Sequence, residues 1–592
     1  MAFDKYFREE LSFLKTEGQH YSELKPHLSA FLDGKHADPD VERLLEGFAF
    51  LTSRLREKLD DDFPELTHSM INMLWPNYLR PFPSTTIVEF TPLDNILARK
   101  KELEAGIKVA GYADESGVLC QFKTCRALEI YPIERIKVFA EQSLDQSIIR
   151  LQFKTHGEIS LDSFITNSLT FFIGESGYVS EMLYFWMHHF LSKIDISIGD
   201  QVLNIPLESL QSEGFSEEEG ILPYPKNVYQ GYRVLHEYLV YPDAFLFFKL
   251  LNLEHYFKHC SESQFTLNFY FNKALPSDIT ISDKNFRLYC TPAINLFEHD
   301  AEPINLDGLR SEYRVISSSQ TPLHYEIFSI QNVRGWGPAD NKKNSGPSNE
   351  RVYYPFESFQ HEQARALHQK ALYYRTRVRE NTIDNALDHF ISFSRSDELQ
   401  HIGTNETISI ELLCSNRFVP LELGKGDINI CSDQEPSFVS VRNITEPSVP
   451  LHPAVDDSLL WSLISNLSLN YVSLLSKESL KTIIKAYDFR GLNDRQAQKI
   501  TEKKIDEGVI SIDTSPVDRV YRGLPIRGIH STLVLNGDAF SSEGDLFLFA
   551  KVLSCFFSLY ASINSFHELT VINTNNNERY EFKAQLGSQP LI

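Results

Sequence analysis

The sequence predicts an α+β, multi-domain protein: an N-terminal helical bundle segment followed by mainly β modules with a few long buried helices. Three observations predict it. A chain of 592 residues exceeds what one hydrophobic core organises, so it divides into several packed units. Hydrophobic residues at 42%, charged at 23% and aromatic at 12% supply the apolar area that offsets chain entropy and that disordered chains lack. Apolar residues recur at helical spacing near the start and at strand spacing beyond Thr85.

The elements follow in order. Phe3, Phe7, Leu11 and Leu14 fall on one helical stripe, Gly18 punctuates it, and Leu24, Leu28 and Phe31 continue. Asp38 is placed to cap the next helix, with Pro39 at its first position and Asp40 and Glu42 near the positive end of its dipole. Behind it Val41, Leu44, Leu45, Phe48, Leu51, Leu55 and Leu59 make a regular apolar face, and Phe63-Pro64 and Trp75-Pro76 end the run. Strands are expected at 86–90, 148–153, 168–173, 265–271, 286–289 and 325–333, with a helix at 181–192 carried by Met182, Phe185, Trp186, His189 and Phe190. At 336–350 the sequence gathers Gly, Pro, Asn and Ser, which reads as a surface loop or hinge. Beyond it come strands at 371–378 and 407–413, helices at 458–475 and 546–566, and a β tail at 568–583. The expected modules are a helical region at 1–83, a β-rich region at 84–335, the loop at 336–350, a β-rich module at 351–450 and an α/β module at 451–592.

Charge and cysteine usage narrow the function. Against 57 Lys+Arg stand 80 Asp+Glu, a formal charge of -23, which repels phosphate backbones and argues against nucleic acid as a partner. Seven cysteines, sparse and odd in number, fit reduced thiols rather than a disulfide framework, and the charged start at Asp4, Lys5, Arg8, Glu9 and Glu10 leaves no apolar core for a signal peptide. A cytoplasmic protein is expected. Residues 546–566 contain Lys551 as their only charge before His567, a span long enough to cross a bilayer. Helical spacing of Leu546, Phe549, Ala550, Leu553, Phe556, Phe557 and Tyr560, with Lys551, Ser554, Ser558 and Asn564 on other faces, favours a buried helix over a membrane-embedded scaffold.

Motifs for chemistry are absent at the spacing chemistry needs. Gly424-Lys425-Gly426-Asp427 is a turn-like fragment and not a phosphate loop. His361-Glu362 with His368 has the second imidazole at the wrong interval for a zinc protease, and His188 and His189 diverge on a helix. Cys120 and Cys125 are too far apart for a redox pair, Asp60-Asp61-Asp62 fan outward, and Ser176 in 174–177 lacks the glycine of a nucleophile elbow. No catalytic, cofactor or metal residue is assigned, and no small-molecule substrate is expected. The alternative is a hydrolase-like enzyme whose site assembles from distant residues, which requires a polar pocket holding a Ser, Cys or carboxylate beside a His.

Long phrases of the chain resemble the TssF family, also called VasA or ImpG, from end to end. They include FDKYFREELSFLKTEG (3–18), ADPDVERLLEGFAFLTSRLREKLDDDFPELT (37–67), WPNYL (75–79), CQFKT (120–124) with Tyr131-Pro132, and LTFFIGESG (169–177). The most specific is LPYPKNVYQGYRVLHEYLVYPDAFLFFKL (222–250). CTPAINLFEHDAEPI (290–304), SEYRV (311–315), CSNRFVP (414–420), LLWSLISNLSLNYVSLL (459–475) and GDLFLFAKVLSCFFSLYASINSFHEL (544–569) complete the series. Two departures occur: Ser415 where the family often has Thr, and Lys123 where Arg is common. The resemblance implies a wedge subunit of the type VI secretion baseplate, docked at the inner face of the inner membrane. It implies assembly of two copies with one TssG-type subunit, and contacts to TssK, TssE and the VgrG spike hub. An indirect link to the membrane complex, and a platform for tube and contractile sheath, follow from the same likeness. On that reading Phe3, Phe7, Leu11, Leu14, Val41, Leu44, Leu45, Phe48, Leu51 and Leu55 bind TssG or the second copy, because three short helices cannot bury that much apolar area alone.

Overall fold

The computed structural model describes residues 43–52, 71–72, 75–224, 231–336, 350–356, 372–395, 406–431, 438–453 and 477–587, with gaps of one to five residues inside these ranges. The chain divides into two compact units, Met1–Met73 with Asp456–Ile464, and Leu74–Val455 with Ser465–Ile592. In the first, the described parts of 43–52 and 71–72 are helical. Phe3, Phe7, Leu11, Leu14, Val41, Leu45 and Leu55 lie outside the described residues, as do most of the expected N-terminal bundle and the helix expected at 458–475. From Trp75 the chain belongs to the second unit, where Pro76–Leu79 forms a short 3-10 turn and Phe82 bridges to Leu451.

The second unit is mixed α+β and mainly β. Its strands form because their alternation matches the pleat: in Ser147–Thr155 every second residue is buried, from Ser147 through Ile149, Leu151 and Phe153 to Thr155. That strand sits between Gln264–Phe271 and Ile133–Gln142 in a five-stranded sheet completed by Leu191–Ile198 and Gln201–Ile205. A six-stranded sheet runs Ile430–Cys431, Lys108–Tyr112, Leu119–Thr124, Cys290–Ile294, Thr85–Pro92, Val439–Asn443. A further sheet, of four strands, orders Leu210–Glu213, Phe247–Leu251, Ser168–Phe172, Arg287–Leu288. An eight-stranded sheet between Phe297 and Ser415 packs Ile391, Ile408, Ile410, Leu412 and Cys414 into its own core.

The boundary expected at 336–350 does not separate modules. Glu326–Trp336 pairs antiparallel with Glu350–Pro355, Trp336 opposite Glu350, so the loop joins neighbours of one sheet. Nor is 351–450 self-contained, because Val439–Asn443 pairs with Thr85–Pro92. Asn443 anchors the far side of that pairing: its carboxamide oxygen accepts from Gly426 N and Ile428 N at 2.9 and 3.0 Å, which makes 424–427 a closed turn. The strand expected at 286–289 shrinks to Arg287–Leu288, because Phe286 and Tyr289 both adopt left-handed φ of 57°.

Five helices place the functional regions: α1 (Tyr178–Phe185), α2 (Gly231–Val240), α3 (Lys477–Tyr487), α4 (Phe489–Asn493) and α5 (Glu543–Tyr560). The helix expected at 181–192 begins earlier, passes into a π-turn at Trp186–Phe190 and stops where Leu191–Ile198 starts pairing with Gln264–Phe271. Likewise α5 ends at Tyr560 rather than 566, since Ser565–Asn573 returns parallel to Leu524–Leu535 and α5 is the crossover of that βαβ unit. Ser542 caps α5, its hydroxyl accepting from Asp545 N at 2.9 Å. A Cβ on Gly544 meets the Glu181 backbone at 2.4 Å, so glycine permits the close approach of α5 to α1. Leu546, Phe549, Leu553 and Phe556 are buried, and so are Phe547, Leu548 and Val552 on other faces. Among the described residues no helix is long and apolar enough to cross a membrane.

Helix α2 is the hub. Its Arg233 and Glu237, 2% and 1% exposed, form an i,i+4 ion pair of 3.0 Å. Glu237 also accepts from Ile221 N at 2.9 Å and Leu222 N at 3.3 Å, and Arg233 donates to Phe215 O and Ser216 O at 3.1 and 2.7 Å. Around α2 the rings close: Tyr232 stacks on Tyr487 of α3 at 4.7 Å, Trp75 lies 4.7 Å from Tyr487, and His236 meets Phe489 of α4 edge-on at 4.6 Å. Burial alone pushes His236 down to about 3.

Two outcomes are expected. Arg233→Met strands a buried carboxylate and should lower stability by about 3–5 kcal/mol, and Arg233→Met with Glu237→Leu should recover only a minor part of the loss, because the backbone groups of 215–216 and 221–222 lose their partners; chemical denaturation of both variants checks this. His236 is neutral in the fold and ionises in the unfolded chain below its ordinary pKa, so its contribution is whole above about 6.5 and lost as pH falls toward 3. His236→Phe should therefore remove about 1 kcal/mol of the destabilisation seen between pH 7.5 and 5.5, read from thermal melts at both pH values.

Candidate partner-binding surface

Of the apolar stripe expected to bind a partner, Leu44, Phe48 and Leu51 are described. They stand at i, i+4 and i+7 on one helical stretch, which places them on one face. They are 73%, 58% and 62% exposed, while Ala49 between them is buried. The described residues of this stretch are helical, and the Thr52 hydroxyl donates to Phe48 O at 2.9 Å. Three large apolar side chains in a row facing water cost free energy that a covering surface recovers, at roughly 25 cal/mol per Å².

The residues weighed for chemistry separate in space. The Gly424–Asp427 turn is held by the Asp427 carboxylate, which accepts from Gly424 N at 2.7 Å, and has no helix behind it to aim N–H groups at a phosphate. The seven cysteines are free thiols, and burial pushes both Cys120 and Cys125 up to about 12, away from thiolate chemistry. His361, Glu362, His368, Asp60, Asp61, Asp62 and Ser176 lie outside the described residues. No group of three His, Cys, Asp or Glu positioned to hold a metal ion occurs among the described residues.

Ser–His pairs form in two places, neither with a local sign in the sequence: Ser531 Oγ lies 2.8 Å from His567 Nε2, an imidazole that burial pushes down to about 3, and Ser212 Oγ lies 2.9 Å from His188 Nε2. His188 Nδ1 lies 2.9 Å from Tyr184 O, a carbonyl that only accepts, so Nδ1 carries the proton and Nε2 accepts from Ser212. Burial first, and the Lys551 ammonium second, push His188 down to about 3. A general base needs a pKa near the working pH and a partner that stabilises its imidazolium; here a carbonyl and an ammonium replace the orienting carboxylate. His189 points elsewhere, stacked on Phe185 at 5.3 Å. A larger cleft of about 1040 Å³ lies between the six- and eight-stranded sheets, where the Arg80 guanidinium sits over Phe328 at 5.2 Å and donates to Asn77 Oδ1 at 2.9 Å. Its charges alternate in sign, with Lys123 and Arg80 facing Glu298, Asp300 and Glu411.

The fold is thus that of a mixed, mainly β protein whose sheets are gathered on a helical hub, and the imidazoles of both described Ser–His pairs are pushed down to about 3, far from the range of a general base. The chain belongs to the TssF family of the type VI secretion system: the family model "Type VI secretion system, TssF" matches residues 1–589. The type VI secretion system component TssF1 of Pseudomonas aeruginosa is 28% identical, the alignment covering 99% of each chain. A chain of the TssK-TssF-TssG baseplate subcomplex, solved by cryo-electron microscopy, superposes with a TM-score of 0.76 at 28% identity, covering 93% of this chain and 99% of that one. A chain of the baseplate complex from the type VI secretion system shares the fold, with a TM-score of 0.61 at 24% identity over the whole of both chains. The two solved chains come from baseplate assemblies, and the likeness to the first spans 93% of this chain.

Ser212 is expected to resist a fluorophosphonate probe at neutral pH. Intact-mass measurement checks this, and a single adduct lost in Ser212→Ala would establish a hydrolase-like site.

Proposed function

We propose that this chain is a structural wedge subunit of a type VI secretion baseplate. It assembles with a TssG-type subunit and a second copy of itself, contacts TssK, TssE and the VgrG spike hub, and forms part of the platform on which tube and contractile sheath grow. The observation that carries the reading is the family match over residues 1–589. It is supported by likeness to a chain of the TssK-TssF-TssG subcomplex across 93% of this chain. The work is mechanical and takes place on the cytoplasmic side of the inner membrane: interfaces hold partners in register, and a displacement at the hub or at the membrane complex repacks them before contraction.

On this reading the N-terminal apolar stripe, with Leu44, Phe48 and Leu51 exposed on it, packs in a helical bundle against TssG or the second copy. Phe3, Phe7, Leu11, Leu14, Val41, Leu45 and Leu55 continue that stripe in the sequence. Aspartate at Leu44 and Phe48 places two charges in the contact, where each costs several kcal/mol to desolvate. The double variant is expected to lose co-purification with the TssG-type subunit in size exclusion with light scattering. Its far-ultraviolet circular dichroism should match that of the parent. A complex retained by the variant, or a parent chain that stays alone beside TssG, would count against the proposal.

A further inference from the structure

Lys551, the one charge in the apolar part of α5, has no ion-pair partner among the described residues. Its ammonium faces the rings of Phe215 and Phe582, each 5.8 Å away, and opens on a groove of about 540 Å³. Burial pushes the ammonium down, and Lys583 on the groove wall pushes the same way. The floor is Met187 and His188 of the π-turn with Phe547 and Cys555 of α5. Glu208 and Glu581, both exposed, stand on the walls, and neither reaches Lys551. His188 and Ser212 satisfy each other, so the ammonium is the polar group left over. A half-buried cation without a counter-charge is costly to keep, and ring faces compensate only part of that cost.

The walls say what shape fits. Leu210, Gln211 and Ser212 line one side, and Glu581, Phe582 and Lys583 the other. Consecutive strand residues point to opposite faces of a sheet, so a groove lined by runs of them follows strand edges and not a sheet face. Both strands are outermost in their sheets: Leu210–Glu213 pairs only with Phe247–Leu251, and Arg579–Leu586 only with Ser565–Asn573, among the described residues. Two open edges offer main-chain hydrogen bonds to an extended chain.

We propose that this groove is a docking site for an extended acidic segment of a baseplate partner, which adds to a strand edge and sets an Asp or Glu carboxylate against Lys551. The source of the segment rests on the baseplate reading, and its chemistry rests on the groove.

The test uses the full chain and fluorescein-labelled overlapping peptides, each longer than one strand, tiled across the TssG-type and TssK-type subunits encoded with it. In fluorescence anisotropy a peptide with an Asp or Glu between apolar residues is expected to bind. Lys551→Met should weaken it about tenfold or more, the peptide's own Asp→Asn or Glu→Gln change should do the same, and the two losses should not add. Lys551→Met should also raise the Tm of the free chain by about 1–3 °C, because it removes an unpaired, half-buried charge. Gln211→Trp, which fills the groove from an exposed position, should block the peptide with Lys551 intact. Binding unchanged in Lys551→Met and Gln211→Trp, or no acidic peptide bound at all, overturns the proposal. So does a lowered Tm for Lys551→Met, which would make the ammonium part of the packed core. The Leu44→Asp, Phe48→Asp chain should still bind the peptide, so failure there and failure of TssG assembly are read separately.

Discussion

The ion pair of Arg233 and Glu237 is the contact on which the second unit depends. Taking both charges out of water is expensive, and their attraction alone does not return that cost. What does is the set of backbone groups they recruit. Glu237 takes two N–H groups from 221–222, and Arg233 takes two carbonyls from 215–216. The segment after the strand Leu210–Glu213 is thereby fixed to helix α2 at 215–216 and again at 221–222. Arg126, from beside the six-stranded sheet, completes the lock by donating to Glu219 O and Ala244 O, each at 2.9 Å. Two sheets and one helix are joined by guanidinium-to-carbonyl bonds, which demand direction as well as distance.

The aromatic shell around that pair performs a different task. Tyr78, Tyr232 and Tyr487 come from parts of the chain separated by most of its length, and the Tyr78 hydroxyl donates to Ala486 O at 3.1 Å. Rings can share faces and edges with several neighbours at once, so one cluster joins the strand entry at 75–82, helix α2, helices α3 and α4, and Phe556 of α5. Displacing any one of these segments uncovers rings of the others, so the hub ties them into one packed cluster.

How much of this could be read from the sequence depended on range. The expected strands at 148–153 and 265–271 fall within Ser147–Thr155 and Gln264–Phe271, because local composition is enough to mark a strand's centre. The ends of α1 and α5 were misread because they are set by strands that pair with distant partners, a competition that no local periodicity contains. Sheet membership was illegible for the same reason: nothing within 85–92 announces 439–443. At α2 the i,i+4 Arg–Glu spacing was visible inside the phrase 222–250, but such a pair usually marks a solvated helix face, and only the surrounding fold buries it. The exposed face of Leu44, Phe48 and Leu51 was legible because helical spacing alone puts them together. Lys551 stood out as a single charge, whereas its groove is built from four separated segments.

Leu44, Phe48 and Leu51 on one hand and Lys551 on the other break the same rule in opposite senses. In the first case apolar side chains meet water, and in the second a charge is partly withdrawn from water without a counter-charge. Neither can be ascribed to a chain that handles burial carelessly, since at the hub each member of the buried ion pair is matched by further hydrogen bonds. A fold that gives the Arg233–Glu237 pair four backbone partners, and leaves these positions uncompensated, fits the proposal that partners supply the missing contacts. The two kinds of deficit also call for unlike partners: a helix face recovers its cost under another apolar surface, and an ammonium between open strand edges under a carboxylate on an extended chain. A subunit that must hold several polypeptides in register gains from such difference, because a segment suited to one surface is penalised at the other.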